Sequence, residues 1–523
     1  MTHTDIESTK SHILLAAYQA WGHTRPLCTL AARIVKSRPI LVTLVTTRPF
    51  FDRVEKEISR NFSPEETSLK SRIRLVALAT NEANPMDIMS LNISFATAYE
   101  TLAKEEPLTC FKTGEQLPAA PSPDVAILDI FAEMMLRSVR KLSKKPVKIY
   151  CWMSASATSA YTLFGPAHRN TSGNLRATLE EEAQRTGKSL PEVAEEFFTE
   201  VKGKVIQVPG LPPMYDYELS PQEYVYQMVI KGPPILGPLQ LAAVELINEC
   251  DGILVATPEC YEPTETVHAM REWFAETSRP VYAFGPMLPP FGQNATVNEK
   301  KQSANSGEID ELLERALKTH GEHSLVYISF GSVFWSVEPE KIWAFLDIMI
   351  EKKIPFIMSH GSPFAQVPES VKEKVKAFGL GVLSPWSPQQ AILAHPATGW
   401  FVTHCGFNSI MESLSFGVPM ICWPYQADQP QNAVHLTDNL EVAYELIEVR
   451  NSLGLKPIYR NGKSSVGTIE AVREEAHRVL DSAFGEDGAK KRAKAVELQT
   501  AFEDVWAEGG SSLADLNRFL DTI

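Results

Sequence analysis

An apolar fraction of 44% spread over 523 residues can fill more than one core, because single cores stop growing near ~250 to 300 residues. A net charge of -14 and a pI near 5.5 exclude the basic field that gathers nucleic acid or anionic membrane, so an anionic ligand must be met locally, by backbone amides and helix ends. Cys28, Cys110, Cys151, Cys250, Cys260, Cys405 and Cys422 are an odd, scattered set without CxxC pairing; this speaks against a disulfide framework or structural zinc and fits a reducing, cytoplasmic compartment.

In chain order, the polar opening with Asp5 and Glu7 lacks the basic flank of a secretory signal, so Ile13 to Ala17 reads as a first strand. No apolar run approaches the ~18 residues that span a bilayer. The runs "HILLAAY", "ILVTLVTT", "IRLVAL", "DVAILD", "VKIYCW" and "GILVAT" alternate with helical patterns, the signature of βαβ units and a parallel sheet. His23 follows the first strand in "AYQAWGHTRP", and Asp129 ends "PDVAILD". Both fall at the carboxyl edge of the predicted sheet, where open α/β sheets bind ligands. An imidazole with an unperturbed pKa near ~6.5 suits a proton acceptor, and a carboxylate on its other nitrogen fixes the tautomer. Taken singly, His23 is an ordinary turn residue and Asp129 a strand-end cap. Tyr18, Trp21, Phe50, Phe131, Met134 and Trp152 offer an aromatic and thioether lining for a flat apolar ligand.

The segment from Gly165 to Tyr224, with "LEEEAQRTGKSLPEVAEEFF", is too long for a simple crossover and reads as an inserted helical subregion. From Gly285 to Glu308 the Pro, Gly, Asn and Ser content forms no periodic element and reads as a linker. A second α/β series follows: "LVYISF", "IPFIMS", "LGVLSPW", "GWFVTH" and "VPMICWP".

The densest signal is "HCGFNSIMESLSFGVP", His404 to Pro419. "GWFVTH" is a strand and "NSIMESLSF" a helix with Ile410, Met411, Leu414 and Phe416 on one face, so "HCGF" is the turn between them. Such a turn holds phosphate without lysine: Gly406 permits close backbone approach, Asn408 and Ser409 add donors, and the helix dipole points the right way. Asn408 and Ser409 are equally common as plain helix caps. Glu412, one turn on, is placed to accept two vicinal hydroxyls. Upstream, Trp386 among turn residues offers a face for a base; downstream, Asp428 and Gln429 open another helix with hydroxyl-reading groups. Trp423 reads as core.

Together Trp386 to Gln429 resemble the nucleotide-sugar signature box of the family-one UDP-glycosyltransferases, "WxPQ... HCGxNSxxE... GVPxxxWP... DQ". The similarity extends over nearly the whole chain through "GHTRP", "DGILVATPECYEP", "VYAFGP", "VYISFGS" and "EGGSS". The resemblance implies a GT-B fold: two Rossmann-like parallel-sheet α/β domains facing a cleft. Residues 1-287 would form the acceptor domain, 288-320 the linker, 321-490 the UDP-sugar domain, and 491-523 helices returning to the first domain. It further implies that Trp386 stacks on uracil, that the Ser387 backbone reads its edge, and that Gln389 and Glu412 bind ribose. His404, Asn408, Ser409 and Ser332 would hold the diphosphate, Asp428 and Gln429 the sugar. His23 would be the base and Asp129 its partner, with Ser154 reaching the sugar by loose alignment. One departure is Phe407, where many glucose-using plant members carry tryptophan.

The expected activity is inverting, metal-independent transfer of a sugar, glucose foremost, from a UDP-sugar to a hydroxyl of a phenolic or polyketide acceptor. The expected enzyme is a cytoplasmic monomer with no cofactor, nucleic acid or transmembrane partner. The alternatives are a sterol or lipid acceptor, another UDP-sugar, or a nucleotide-sugar-binding protein without turnover, which has no need of the His23 and Asp129 pair. His395, His404, Cys405 and Cys422 lack metal-ligand spacing. "NGKS" at Asn461 lacks the glycine of a phosphate loop, and "FGSVF" is not a nucleophile elbow.

Overall fold

The computed structural model describes residues 11–80, 88–166, 174–225, 234–290 and 306–523. The chain divides into two compact units: Met1–Glu200, Pro233–Pro290 and Val505–Ile523 form one, Val201–Gly232 and Phe291–Asp504 the other.

The first unit is built on seven parallel strands: β1 (Ser11–Ala16), β2 (Ile40–Thr47), β3 (Ile73–Leu78), β4 (Val125–Asp129), β5 (Lys148–Met153), β6 (Gly252–Val255) and β7 (Val281–Ala283). Their order is β7-β6-β5-β4-β1-β2-β3. Helices cover the sheet, which is why β2, "ILVTLVTT", is buried along its whole length; a parallel strand wrapped on both faces loses the polar alternation of a half-exposed one. Strand order reverses between β1 and β4, paired from Ile13–Val125 to Ala16–Leu128. The diverging connections there open a crevice at the carboxyl ends of the strands.

β1 also carries a buried histidine that makes the unit sensitive to acid. His12 Nδ1 lies 2.7 Å from the Pro121 carbonyl and Nε2 2.8 Å from Thr43 Oγ1, so the neutral ring donates from Nδ1 and accepts at Nε2. Burial lowers its pKa to about 4. The unfolded chain therefore binds this proton from about pH 6.5 downward and the folded chain only near pH 4, so stability present above pH 6.5 is lost as pH falls through that window. The unfolding free energy from urea titrations should fall by about 2 kcal/mol for this group between pH 7 and pH 5, and the drop should shrink in His12→Gln.

Six parallel strands form the second sheet: β8 (Leu325–Ser329), β9 (Phe356–Ser359), β10 (Gly381–Ser384), β11 (Thr398–Thr403), β12 (Met420–Cys422) and β13 (Ala443–Glu445). Their order is β10-β9-β8-β11-β12-β13, with the reversal between β8 and β11. Trp423 is wholly buried after β12.

These bounds differ from the sequence reading in three places. Of the 288–320 linker, 291–305 lie outside the described residues, while Ser306–His320 is a helix that buries Ile309, Leu312, Leu313 and Ala316. The helix Glu486–Asp504 packs on the helices Phe407–Ser415 and Ile469–Ala483, so the segment belonging to the first unit starts at Val505 rather than at 491. Within 165–224, the helices Leu175–Thr186 and Leu190–Thr199 belong to the first unit, whereas the residues from Val201 onward group with the second.

Candidate functional site

In the first unit the chain leaves β1 through Ala17 to Ala20 and enters the helix Trp21–Ser37, with His23 in its first turn. Asp129, the last residue of β4 and wholly buried, sets Oδ2 2.7 Å from His23 Nδ1. The Phe131 backbone N–H donates to Asp129 Oδ1 at 3.1 Å, which fixes the carboxylate plane. An Nδ1–H held by a carboxylate puts the ring's lone pair on Nε2, the tautomer a proton acceptor needs. The His23 side chain is 25% exposed, enough for a ligand to reach it. The rings of Phe131 and Tyr18 flank it at 5.5 and 6.3 Å between centroids.

Beside this pair is a small recess lined by Tyr18, Thr47, Phe50, Leu78, Leu91 and Met135 among others. Trp21 stacks on Phe50 at 6.4 Å, and the Arg53 guanidinium lies over the Trp21 ring at 3.7 Å. Tyr18, Trp21 and Phe131 thus gather around His23 and the recess, and Met134 and Trp152, the latter paired with Asp129 across the sheet, do not line the recess. Met134 is exposed on the helix Glu133–Leu142, and Trp152 is wholly buried in β5. Ser154 is buried just past β5. The lining that sequence spacing missed, Thr47, Leu78, Leu91 and Met135, lies at strand ends and on helices whose apolar positions look like ordinary core.

In the second unit, β11 ends at Thr403, Cys405 takes a left-handed φ of 65°, and Gly406 caps the helix Phe407–Ser415. A non-glycine residue rarely adopts that conformation; two bonds hold it, Cys405 N–H to Thr403 Oγ1 at 3.2 Å and Asn432 Nδ2 to the Cys405 carbonyl at 3.0 Å. A Cβ on Gly331 would come within 2.9 Å of the His404 ring and one on Gly406 within 2.5 Å, so the imidazole is pressed between two bare backbones. Burial brings its pKa down to about 4, against a hydrogen bond with the Ser329 backbone. At neutral pH His404 is therefore an uncharged donor, and a diphosphate here would meet the helix dipole rather than an imidazolium.

Glu412, one turn into that helix, is buried and receives Gln389 Nε2 on Oε2. The same nitrogen lies 3.4 Å from Ser409 Oγ, and Tyr327 from β8 donates to Gln389 Oε1 at 3.3 Å. Three elements thereby fix one carboxylate. Trp386, past β10, is 37% exposed, and Ser384 Oγ donates to its carbonyl at 2.7 Å. Ser387 is buried, Ser332 exposed, and Asn408 and Ser409 half-buried. Gln429 Oε1 accepts the backbone N–H of Tyr425 at 2.9 Å and of Gln426 at 3.4 Å, which leaves its amide nitrogen as the group it can offer. Asn432 Nδ2 also bonds Asp428 Oδ2 at 2.8 Å, tying the Asp428 loop to the Cys405 turn. Neither Asn432 nor Tyr327 stands out in sequence, because each supports the site from outside the signature positions.

A family model described as UDP-glucoronosyl and UDP-glucosyl transferase matches residues 188–449. The UDP-glycosyltransferase eriJ of Hericium erinaceus is 31% identical over 527 residues, covering 98% of each chain. UDP-glucose flavonoid 3-O-glucosyltransferase 6 of Fragaria ananassa is 31% identical over 291 residues, 53% of this chain and 55% of that one. Among solved structures, Medicago truncatula UGT71G1 complexed with UDP-glucose is similar over 99% of both chains, with a TM-score of 0.63 and 20% identity, a likeness of fold.

Proposed function

The chain belongs to the UDP-glucoronosyl and UDP-glucosyl transferase family, and from that premise we propose that it moves glucose from UDP-glucose to a hydroxyl of a flat, lipophilic phenolic or polyketide, with inversion at the anomeric carbon. As a family member it is a UDP-glycosyltransferase with two Rossmann-like domains, acting on small molecules. Among the described residues no helix is long and apolar enough to cross a membrane.

In the proposed reaction Trp386 stacks on uracil, the Ser387 backbone reads its edge, and Glu412 with Gln389 receives the ribose hydroxyls. The turn from His404 to Ser409, with Ser332, takes the diphosphate; Asp428 and Gln429 take the hexose. His23 Nε2 accepts the acceptor's proton as its oxygen bonds to the anomeric carbon and the bond to UDP breaks. Asp129 stabilises the imidazolium, and the helix N-terminus receives the charge left on UDP. Helix dipole and neutral donors do the neutralising, without a metal. The 2.7 Å bond from His23 to buried Asp129 carries this reading over one of binding without turnover, since a sensor has no use for an oriented base. Glucose and a phenolic acceptor draw support from the Fragaria relative's name and from the aromatic surroundings of His23.

Incubation with UDP-glucose and a panel of phenols should yield glycosides and free UDP, followed by mass spectrometry; no product with any acceptor or UDP-sugar would refute the proposal. Loss of the Trp386 indole removes a stack of ~1 to 3 kcal/mol. Trp386→Ala should therefore weaken UDP binding roughly 5- to 100-fold by calorimetry, with Trp386→Phe between the two.

A further inference from the structure

The loop that leaves β12, Trp423 to Gln429, is held at both ends by carboxamides. At its far end Asn432 bonds Asp428 and the Cys405 carbonyl. At its near end the partner comes from some 200 residues upstream. Gln222 is buried; its Nε2 donates to the Pro424 carbonyl at 2.6 Å, and its Oε1 accepts from the Trp423 indole Nε1 at 3.2 Å. Both halves of one amide are thus spent on two successive residues just where the chain quits the sheet. Proline has no N–H to donate, so its carbonyl is the backbone group Pro424 can offer, and Gln222 takes it. Beyond it Tyr425 and Gln426 wrap their N–H groups around Gln429 Oε1, and Ala427 takes a left-handed φ of 62°. The Trp423 N–H bonds the Thr403 carbonyl at 2.8 Å and Tyr425 packs on Phe330 and Phe334, so Gln222 adds a side-chain anchor where this packed loop begins.

Gln222 itself sits on a segment docked independently of its side chain. The Pro221 carbonyl accepts the Asn451 N–H at 3.1 Å, Glu223 N–H donates to Asn451 Oδ1 at 2.8 Å, and Val225 N–H donates to the Trp335 carbonyl at 3.0 Å. A Cβ on Gly454 would fall 2.0 Å from the Pro221 oxygen, so the two backbones are in direct contact.

We propose that Gln222 is a positioning residue for donor selectivity: through Trp423 and Pro424 it sets the loop that presents Asp428 and Gln429, and so decides which hexose the UDP-sugar carries. The inference rests on the reading that Asp428 and Gln429 bind the sugar. Gln222→Met keeps the volume and removes both bonds; Gln222→Glu keeps the acceptor for Trp423 and loses the donor to Pro424.

The test measures UDP affinity by calorimetry, and kcat and KM with UDP-glucose and UDP-galactose, for wild type, both variants and Asp428→Ala. Loss of a buried hydrogen-bonded partner should raise KM for UDP-glucose about tenfold in Gln222→Met and less in Gln222→Glu, with UDP affinity held within about twofold. The preference between the two hexoses should narrow in the same order. Unchanged KM and preference in both Gln222 variants overturn the inference, and so does an equal loss of UDP and UDP-glucose, which marks a support of the whole unit. If Asp428→Ala leaves KM and preference untouched, the sugar assignment itself fails, whatever the Gln222 variants do.

Discussion

Replacing His23 with alanine should lower kcat by about 10²- to 10⁴-fold, the range that a positioned general base supplies. UDP affinity should stay within about twofold, because every group assigned to the nucleotide lies in the second unit. The split between kcat and binding separates a base from a structural residue, and calorimetry with UDP beside a turnover assay reads it. Asp129→Asn probes the same pair more finely. An asparagine that donates its amide N–H to Nδ1 puts the ring proton on Nε2, where it blocks proton acceptance. Its kcat should approach that of His23→Ala while the buried site keeps its volume. Equal turnover in wild type and His23→Ala would remove the base from the account.

The second large effect is expected at Glu412. A buried carboxylate that accepts from vicinal hydroxyls makes charge-assisted bonds of ~1.5 to 3 kcal/mol, so Glu412→Ala should weaken UDP about 10- to 100-fold. One further feature raises the cost: Gln389 Nε2 would lose its carboxylate partner and keep only Ser409 Oγ at 3.4 Å. Glu412→Gln keeps one acceptor and should fall between. A ribose reader predicts the same ratio for UDP, UDP-glucose and UDP-galactose, measured by calorimetry; a loss confined to the sugar-bearing ligands would assign Glu412 to the hexose instead.

What the sequence shows of this site depends on how local each feature is. The turn from His404 to Gly406 is legible because a β-rich run, a glycine and a helical period meet within a dozen residues. The Cys405 conformation behind it is not, since a cysteine at φ 65° is held in part by Asn432, 27 positions away. Trp386 reads as exposed from its turn neighbours, whereas Trp152, with equal aromatic character, is swallowed by a strand covered on both faces. His23 and Asp129 are visible as strand-end residues, yet their pairing needs β1 beside β4, a register that no local pattern states. Gln222 lies in a stretch that reads as an inserted helical subregion, and its bonds to Trp423 and Pro424, some 200 positions away, appear only in the fold. The bounds of the units shift for a similar reason. The helix Ser306–His320 begins among serine and glycine, which hide its buried face, and Glu486–Asp504 is polar enough to read as a tail until its packing on Phe407–Ser415 is seen.

The proposed reaction is one displacement at the anomeric carbon, with His23 as the base and UDP as the leaving group. Proton NMR of the product formed from UDP-α-glucose tests it most directly. A β-glycoside with one UDP released per glycoside is expected; an α-glycoside, or UDP appearing with free glucose alone, would rule the displacement out.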